Sequence, residues 1–355
     1  MTLKDYIQDK KSVVSSYLQT YLKQTALPQV SPVGKWGGDG VTRILHSATQ
    51  GKMLRSACIF LGMDMATTQG NSEAAIQASA AMELFHTGLL VHDDIMDQDE
   101  KRRGQDSMHI QYKKLLEKDG TKHPIKTGES FAVCLGDLSF FLGHHILSLI
   151  QPDTLSSRLT NLFSSELAKV TIAQMQDVYG GNTSGQLPQD EILAIYTYKT
   201  GRYSCALPLV AGAIIGGASE QTCKHLWKLG TSMGVLYQIK DDELNILGDP
   251  EKTGKPVGSD IREGKQTLLR YVIMNHADEP TKKKLATMYG NPDMTADDLL
   301  FIQHLANEQS TQKDIHAIVE KQEQQMTEII TALPMNESTR TLIREFSLFI
   351  TKRDV

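Results

Sequence analysis

The chain has 355 residues, 40% of them hydrophobic and 22% charged, a composition that suits a globular protein with a sizeable core. Lys plus Arg number 37 against 42 Asp plus Glu, a net charge of -5; this argues against binding nucleic acid through bulk positive charge, so an anionic substrate would need a local cluster of cations or bridging metal ions. Cys58, Cys134, Cys205 and Cys223 lie far apart with no CxxC pair, which excludes a disulfide-stapled scaffold and a cysteine zinc site and leaves small core residues.

The N-terminus, MTLKDYIQDKK, is polar from its third residue, so no signal peptide is expected. Residues 1–40 read as an N-terminal helical region. From 72 to 96 the run SEAAIQASAAMELFHTGLLVHDDIM predicts a helix with Ser72 as its N-cap, apolar nearly all round until its acidic end and therefore central. A polar stretch at 117–128 predicts a loop. Residues 155–179 hold no Gly or Pro before Gly180 and read as a further helix, followed by a loop over 180–188. The longest run of apolar and small residues, 207–218, has 12 residues, short of the roughly 20 needed to span a membrane. A second long helix is expected over 220–247, then a Gly- and Lys-rich loop over 248–264. The last 60 residues read as amphipathic helices, with Thr295 and Asp298 forming a capping box. Strand signals are nearly absent. The expected architecture is all-α, one domain over 1–355, cytoplasmic and without a transmembrane segment.

The chemistry concentrates at the ends of the two long helices. Asp93 and Asp97 in Asp93-Asp94-Ile95-Met96-Asp97 are one helical turn apart and point the same way, so their repulsion calls for a compensating cation. Mg²⁺ suits such hard oxygen ligands, keeping waters and sharing phosphate oxygens. Asp241-Asp242-Glu243-Leu244-Asn245 repeats the spacing, with the Asn carbonyl in place of the last carboxylate. One acidic helix end is as readily a solvated surface; two with the same spacing are uncommon by chance. Lys52 and Arg55 precede the first motif, Arg102 and Arg103 follow it, and Lys199, Lys255 and Lys265 surround the second. Each alone reads as a solvated surface residue. Together with metals they fit a substrate, or two, carrying diphosphate. The near-match to a phosphate-binding loop at 258–265 has five residues between its glycines instead of four and Gln266 where Ser or Thr belongs, so that reading fails. His144-His145 reads as a packed or capping pair.

Seven ordered motifs then carry a resemblance that runs from about Gly51 to the C-terminus: GKMLR at 51–55, ELFHTGLLVHDDIMDQDEKRRG at 83–104, GD at 136–137, AQMQD at 173–177, YKTG at 198–201, YQIKDDELN at 237–245 and DPEKTGKPVGSDIREGKQT at 249–267. Their order and spacing resemble the trans-isoprenyl diphosphate synthases, or polyprenyl synthetases, of the geranylgeranyl diphosphate type. The resemblance implies an isoprenoid-synthase helical bundle around a central cavity, and a prenyltransferase that elongates an allylic diphosphate (dimethylallyl, geranyl or farnesyl) head to tail with isopentenyl diphosphate. It implies Mg²⁺, about three ions per active site with substrate bound, on Asp93, Asp97, Asp241 and Asn245. Catalytic residues by the same resemblance are Asp93, Asp94, Asp97, Lys199, Asp241 and Asp242. Arg102, Lys199, Thr200, Gln238, Lys255 and Lys265 are expected to hold the allylic diphosphate; Lys52, Arg55, His86 and Arg103 are expected to hold isopentenyl diphosphate. The resemblance also implies a homodimer.

Chain length is expected to depend on Phe85, Gly88 and Leu89, eight, five and four residues before Asp93. At 1.5 Å per residue, Gly88 lies about 7–8 Å and Phe85 about 12 Å from the acidic site. The resemblance implies that a large aromatic at the Gly88 position would shorten the product; Gly88 removes that floor, Phe85 is expected to supply a deeper one, and a C20 product is expected, with C25 or longer as the alternative. A terpene cyclase would not need the cations of a second diphosphate site, and a non-catalytic subunit tends to lose one acidic motif; both rank below the synthase.

Overall fold

The computed structural model describes residues 2–66, 70–183, 185–248 and 257–351. In chain order the helices are α1 (Leu3–Tyr21), α2 (Trp36–Gln50), α3 (Leu54–Ala66), α4 (Ser72–Met96), α5 (Met108–Lys118), α6 (Pro124–Ser148), α7 (Asp153–Gly181), α8 (Gln189–Ile195), α9 (Leu207–Ile215), α10 (Glu220–Leu247), α11 (Leu268–His276), α12 (Glu279–Met288), α13 (Ala296–Ala306), α14 (Gln309–Ala332) and α15 (Glu337–Thr351). The fold is all-α. A two-stranded hairpin, β1 (Lys101–Arg102) and β2 (Gln105–Asp106), stands between α4 and α5; its strands are too short to show an alternating pattern in the sequence.

Local chemistry explains the boundaries. Thr2 and Asp5 form a capping box on α1, and Thr295 and Asp298 form the expected one on α13, each satisfying helix-end N–H groups that have no partner inside the helix. The N-cap of α4 is Asn71, whose side chain accepts from the N–H of Ala74, one residue earlier than expected. The first loop is shorter than 117–128, because α5 runs to Lys118 and α6 starts at Pro124, where proline's missing N–H costs nothing. Within 248–264, Ser259–Arg262 forms a helical turn.

The chain divides into two compact units, Met1–Phe163 with Pro208–Ser219, and Ser164–Leu207 with Glu220–Val355. In the first, α4 packs on α6, which also carries α5. Its core includes Leu18, Ile44, Ile59, Met82, Phe85 and Phe163, all inaccessible to solvent. In the second, α10 packs on the π-helical run Tyr196–Ala206, on α14 and on α15. Its core includes Ile192, Val235, Ile239, Leu269, Leu285 and Ile302.

Two expectations need correction. Both α4 and α6 are long and apolar enough, by length and composition, to cross a membrane, a pattern that the Ala, Gly and His residues scattered through them obscure. The apolar window of α4 is 78% buried inside the protein and that of α6 is 44% buried, so α4 is a core helix and α6 presents one apolar face outward. Cys134 is exposed on that face, whereas Cys58, Cys205 and Cys223 are buried; the assignment of all four to the core therefore holds for three.

Candidate active site

In the first unit, Asp93, Asp94 and Asp97 end α4. Asp93 and Asp97 are half-buried, while Asp94 is only 3% exposed. Arg102 gathers this cluster: Nε donates to Asp94 Oδ1 at 2.6 Å, and Nη2 donates to Asp93 Oδ2 at 3.3 Å and Asp99 Oδ2 at 3.2 Å. Burial pushes the Asp94 carboxyl up to about 6 despite the opposing pull of Arg102. The guanidinium is held charged by the three carboxylates, which outweigh its burial.

Arg102 reaches them because the hairpin turns sharply. Arg103 (φ 54°) and Gly104 (φ 76°) both lie in the left-handed region, the two-residue turn that matches strand twist; glycine takes this at no cost, and Arg103 at about 1 kcal/mol. The result sends the paired arginines different ways, Arg103 towards the carbonyl of Ser47 at 3.4 Å and against Gly51. Among the described residues, the non-glycine positions with positive φ are Met53, Gln98 and Arg103. All three flank site residues, between Lys52 and Arg55, after Asp97, and at the turn, where strain concentrates in functional sites.

Arg55 Nη1 donates to His86 Nε2 at 3.2 Å. Burial, followed by the positive field of Arg55 and Arg103, holds that imidazole well below its ordinary pKa, so it is neutral and Nε2 is free of a proton. Beneath it Glu83 is buried and accepts from Ser56 Oγ at 2.7 Å. Ser56 thus supplies the buried Glu83 carboxyl with a donor. Lys52 is exposed on the same segment. A cavity of about 330 Å³ adjoins Asp94, Arg102, Arg103 and Ser47.

The three chain-length candidates separate. Phe85 is fully buried, its ring centroid 4.9 Å from that of His144, 5.7 Å from Phe163 and 6.5 Å from Phe140. Gly88 faces α6 closely: a Cβ there would lie 2.8 Å from the Gly136 carbonyl oxygen and 3.1 Å from the Phe140 ring. The space beside Gly88 is therefore taken by α6. Leu89 is half-buried.

In the second unit, Asp241 is half-buried and Asp242 is 3% exposed, the same division as Asp93 and Asp94. Both Asp242 oxygens have protein donors: Gln238 Nε2 at 2.8 Å and the Tyr196 hydroxyl. Tyr196 in turn accepts from the N–H of Leu268 at 2.7 Å, and Thr200 Oγ1 donates to Gln238 Oε1 at 2.7 Å. Burial holds the Asp242 carboxyl well above its ordinary range. Asp242 thus ties the π-helical run, α10 and the start of α11 together, and that local widening is a common feature of functional helices. Lys199 Nζ donates to Asp177 Oδ2 at 2.5 Å, and Lys265 pairs with Glu263 at 2.8 Å. Asn245 Nδ2 donates to Ser259 Oγ at 2.7 Å, and its Oδ1 accepts from the N–H of Asp260 at 3.2 Å. The amide that was expected to ligate a metal here closes the turn at 258–260, since it can donate and accept at once. Lys255 lies outside the described residues.

Among the described residues, no group of three or more His, Cys, Asp or Glu is arranged to hold an ion alone. The donors that Asp93, Asp97 and Asp241 offer are hard carboxylate oxygens on half-buried groups, which fit Mg²⁺ completed by water and phosphate oxygens. Sequence reasoning gave no role to Asp99, Glu83 or Tyr196. Asp99 sits within the first acidic run and could have been found there; Tyr196 and Glu83 carry no local signal.

A polyprenyl synthetase family model matches residues 41–305. The chain is 32% identical over 254 residues to the geranylgeranyl diphosphate synthase of Saccharolobus solfataricus, covering 70% of each chain. It is also 32% identical over 227 residues to a short chain isoprenyl diphosphate synthase of Methanocaldococcus jannaschii, where the match spans 64% of each chain, less than two thirds of that relative. Its fold superposes on the crystal structure of a Corynebacterium glutamicum geranylgeranyl pyrophosphate synthase complexed with isoprenyl diphosphate and magnesium, with a TM-score of 0.89 at 21% identity over 99% of this chain and 100% of that one. With two acidic motifs, flanking cations and a family match over most of its length, the chain belongs to the polyprenyl synthetase family.

Proposed function

We propose that this trans-prenyltransferase of the polyprenyl synthetase family elongates an allylic diphosphate with isopentenyl diphosphate to geranylgeranyl diphosphate (C20), releasing diphosphate. The observation that carries the reading is the division of labour in each acidic motif. The first Asp of each pair, Asp93 or Asp241, is left half-buried, while the second, Asp94 or Asp242, is buried and held by protein donors. A merely solvated acidic helix end would not bury a carboxyl group and supply it with protein donors.

Asp93, Asp97 and Asp241 would hold Mg²⁺, which when bound stabilises negative charge growing on the departing diphosphate. Arg102 and Lys199 contribute further positive charge there, with Thr200, Gln238, Lys255 and Lys265. Lys52, Arg55, His86 and Arg103 hold the isopentenyl diphosphate. Ionisation of the allylic C–O bond leaves a carbocation, which the isopentenyl double bond attacks; a proton is then lost to the released diphosphate. The apolar walls keep water from the cation. Phe85, packed on Phe163 and His144, sets the depth available to the tail.

The proposal includes a homodimer and a cytoplasmic location. Ile125, Val133 and Phe141 on α6, and Ile172, Met175 and Tyr179 on α7, are 42–70% exposed, apolar area that a second copy would cover. No two cysteines are disulfide-bonded, in keeping with a reducing compartment.

The test is purified protein with Mg²⁺, farnesyl diphosphate and labelled isopentenyl diphosphate, with chromatography of the dephosphorylated products. Mg²⁺-dependent accumulation at C20 is expected. C25 or longer would move the floor below Phe85; no incorporation with any allylic primer would refute the synthase reading.

A further inference from the structure

Residues Asp39, Arg43, His46, Ser47 and Gln50 fall at helical spacing on one face of α2. They form a polar stripe on a helix that the motifs beginning at Gly51 do not reach. Each member is engaged with the Arg102–Arg103 hairpin or with its support. Arg43 Nε donates to Asp39 Oδ2 at 2.8 Å, Nη1 donates to Gln111 Oε1 at 2.6 Å, and the guanidinium lies 4.6 Å over the Tyr112 ring. Tyr112 donates to the same Asp39 oxygen at 2.7 Å. Gln111 then donates through Nε2 to the backbone carbonyl of Asp106, on β2, at 2.7 Å. A second tie runs through Gln105 Oε1, which receives Gln50 Nε2 at 3.2 Å and lies 3.1 Å from His46 Nε2. A third is the Ser47 carbonyl, which accepts from Arg103.

The two arginines depend on this support unequally. Arg102 is anchored at its guanidinium by three carboxylates. Arg103 has the longer bond to Ser47 and a strained backbone at the turn, so its direction follows the strands. We propose that Arg43, acting through Gln111, is a positioning residue that aims Arg103 and thereby sets affinity for isopentenyl diphosphate. The inference rests on the assignment of Arg103 to that substrate.

Gln111 separates positioning from mere support. Gln111→Leu cuts both links; Gln111→Glu keeps the acceptor for Arg43 and loses only the donor to Asp106. The dissociation constant of isopentenyl diphosphate is measured by titration calorimetry with Mg²⁺ on the full chain, with melting temperature and turnover recorded in parallel. Both variants are expected to weaken binding about tenfold, the worth of one well-placed hydrogen bond transmitted to a charged contact, with melting within a few degrees of wild type. In an Arg103→Ala background each should add less than about twofold, because its effect has lost its target. Wild-type binding by Gln111→Glu, or an undiminished effect in the Arg103→Ala background, would overturn the proposal, as would a wild-type chain that does not bind isopentenyl diphosphate. The full binding pattern in a chain without turnover would uphold the positioning role and refute the synthase reading.

Discussion

Replacing Phe85 by Ala tests the tail pocket and the stability of the first unit together. The side chain is inaccessible to solvent and its ring meets His144, Phe163 and Phe140 at centroid distances of 4.9, 5.7 and 6.5 Å. Removing a phenyl ring so enclosed costs about 3–5 kcal/mol, part transfer energy and part cavity. At about 2–4 °C per kcal/mol for a large domain, melting should fall by roughly 6–20 °C. The cavity opens about 12 Å along α4 from Asp93, where a growing tail would reach it. The assay is product length on farnesyl diphosphate at a temperature where the variant is folded by circular dichroism. A shift from C20 to C25 and beyond is expected, with a smaller shift for Phe85→Leu. A folded Phe85→Ala protein that still stops at C20 would refute the reasoning and put the floor elsewhere in the pocket.

Tyr196→Phe should cost about 1–3 kcal/mol in urea unfolding, since it removes one of the two donors to Asp242 and the acceptor of the Leu268 N–H, and should raise the Mg²⁺ concentration needed for half-maximal rate; unchanged values in both would refute the tie. Glu83, held above its ordinary value of 4.5 by burial, with Ser56 and Arg55 opposing, binds its proton more tightly folded than unfolded. Its contribution is therefore complete below the unfolded pKa and is lost as pH rises through the folded one. Glu83→Gln should gain stability relative to wild type between pH 5 and pH 8, and a constant difference across that range would count against the assignment. Chelation of divalent ions should abolish turnover reversibly while moving the melting temperature by no more than about 2 °C, because among the described residues no three His, Cys, Asp or Glu side chains gather to hold an ion by themselves; a large drop would reveal a structural metal.

Much of this architecture is local, and so legible in the sequence. Asp93 and Asp97 share a helix face because the period is 3.6 residues, and α10 spans Glu220–Leu247 as its apolar pattern predicts. The capping box at Thr295 depends only on residues three apart. The pairing of Arg102 with an acidic cluster could be anticipated from their nearness in the chain, although the left-handed turn that aims it could not.

Other features depend on partners far along the chain. Asp94 and Asp242 are the same residue type as their neighbours, and only packing against Arg102 or Tyr196 makes them the buried members. Asn245 became a turn clamp because Ser259 and Asp260 fold back onto it. Gly88 looked like an open space and is filled by α6, 48 residues on at Gly136. Cys134 is exposed although its neighbours are apolar, because α6 leaves one face uncovered. The sequence by itself determined the helices, the two acidic motifs and the cations beside them, since each follows from spacing within a turn or two. Which carboxylate is buried, what packs against Gly88 and what Arg103 contacts were decided only when distant helices met, because a helical period specifies a face but not the neighbour that covers it.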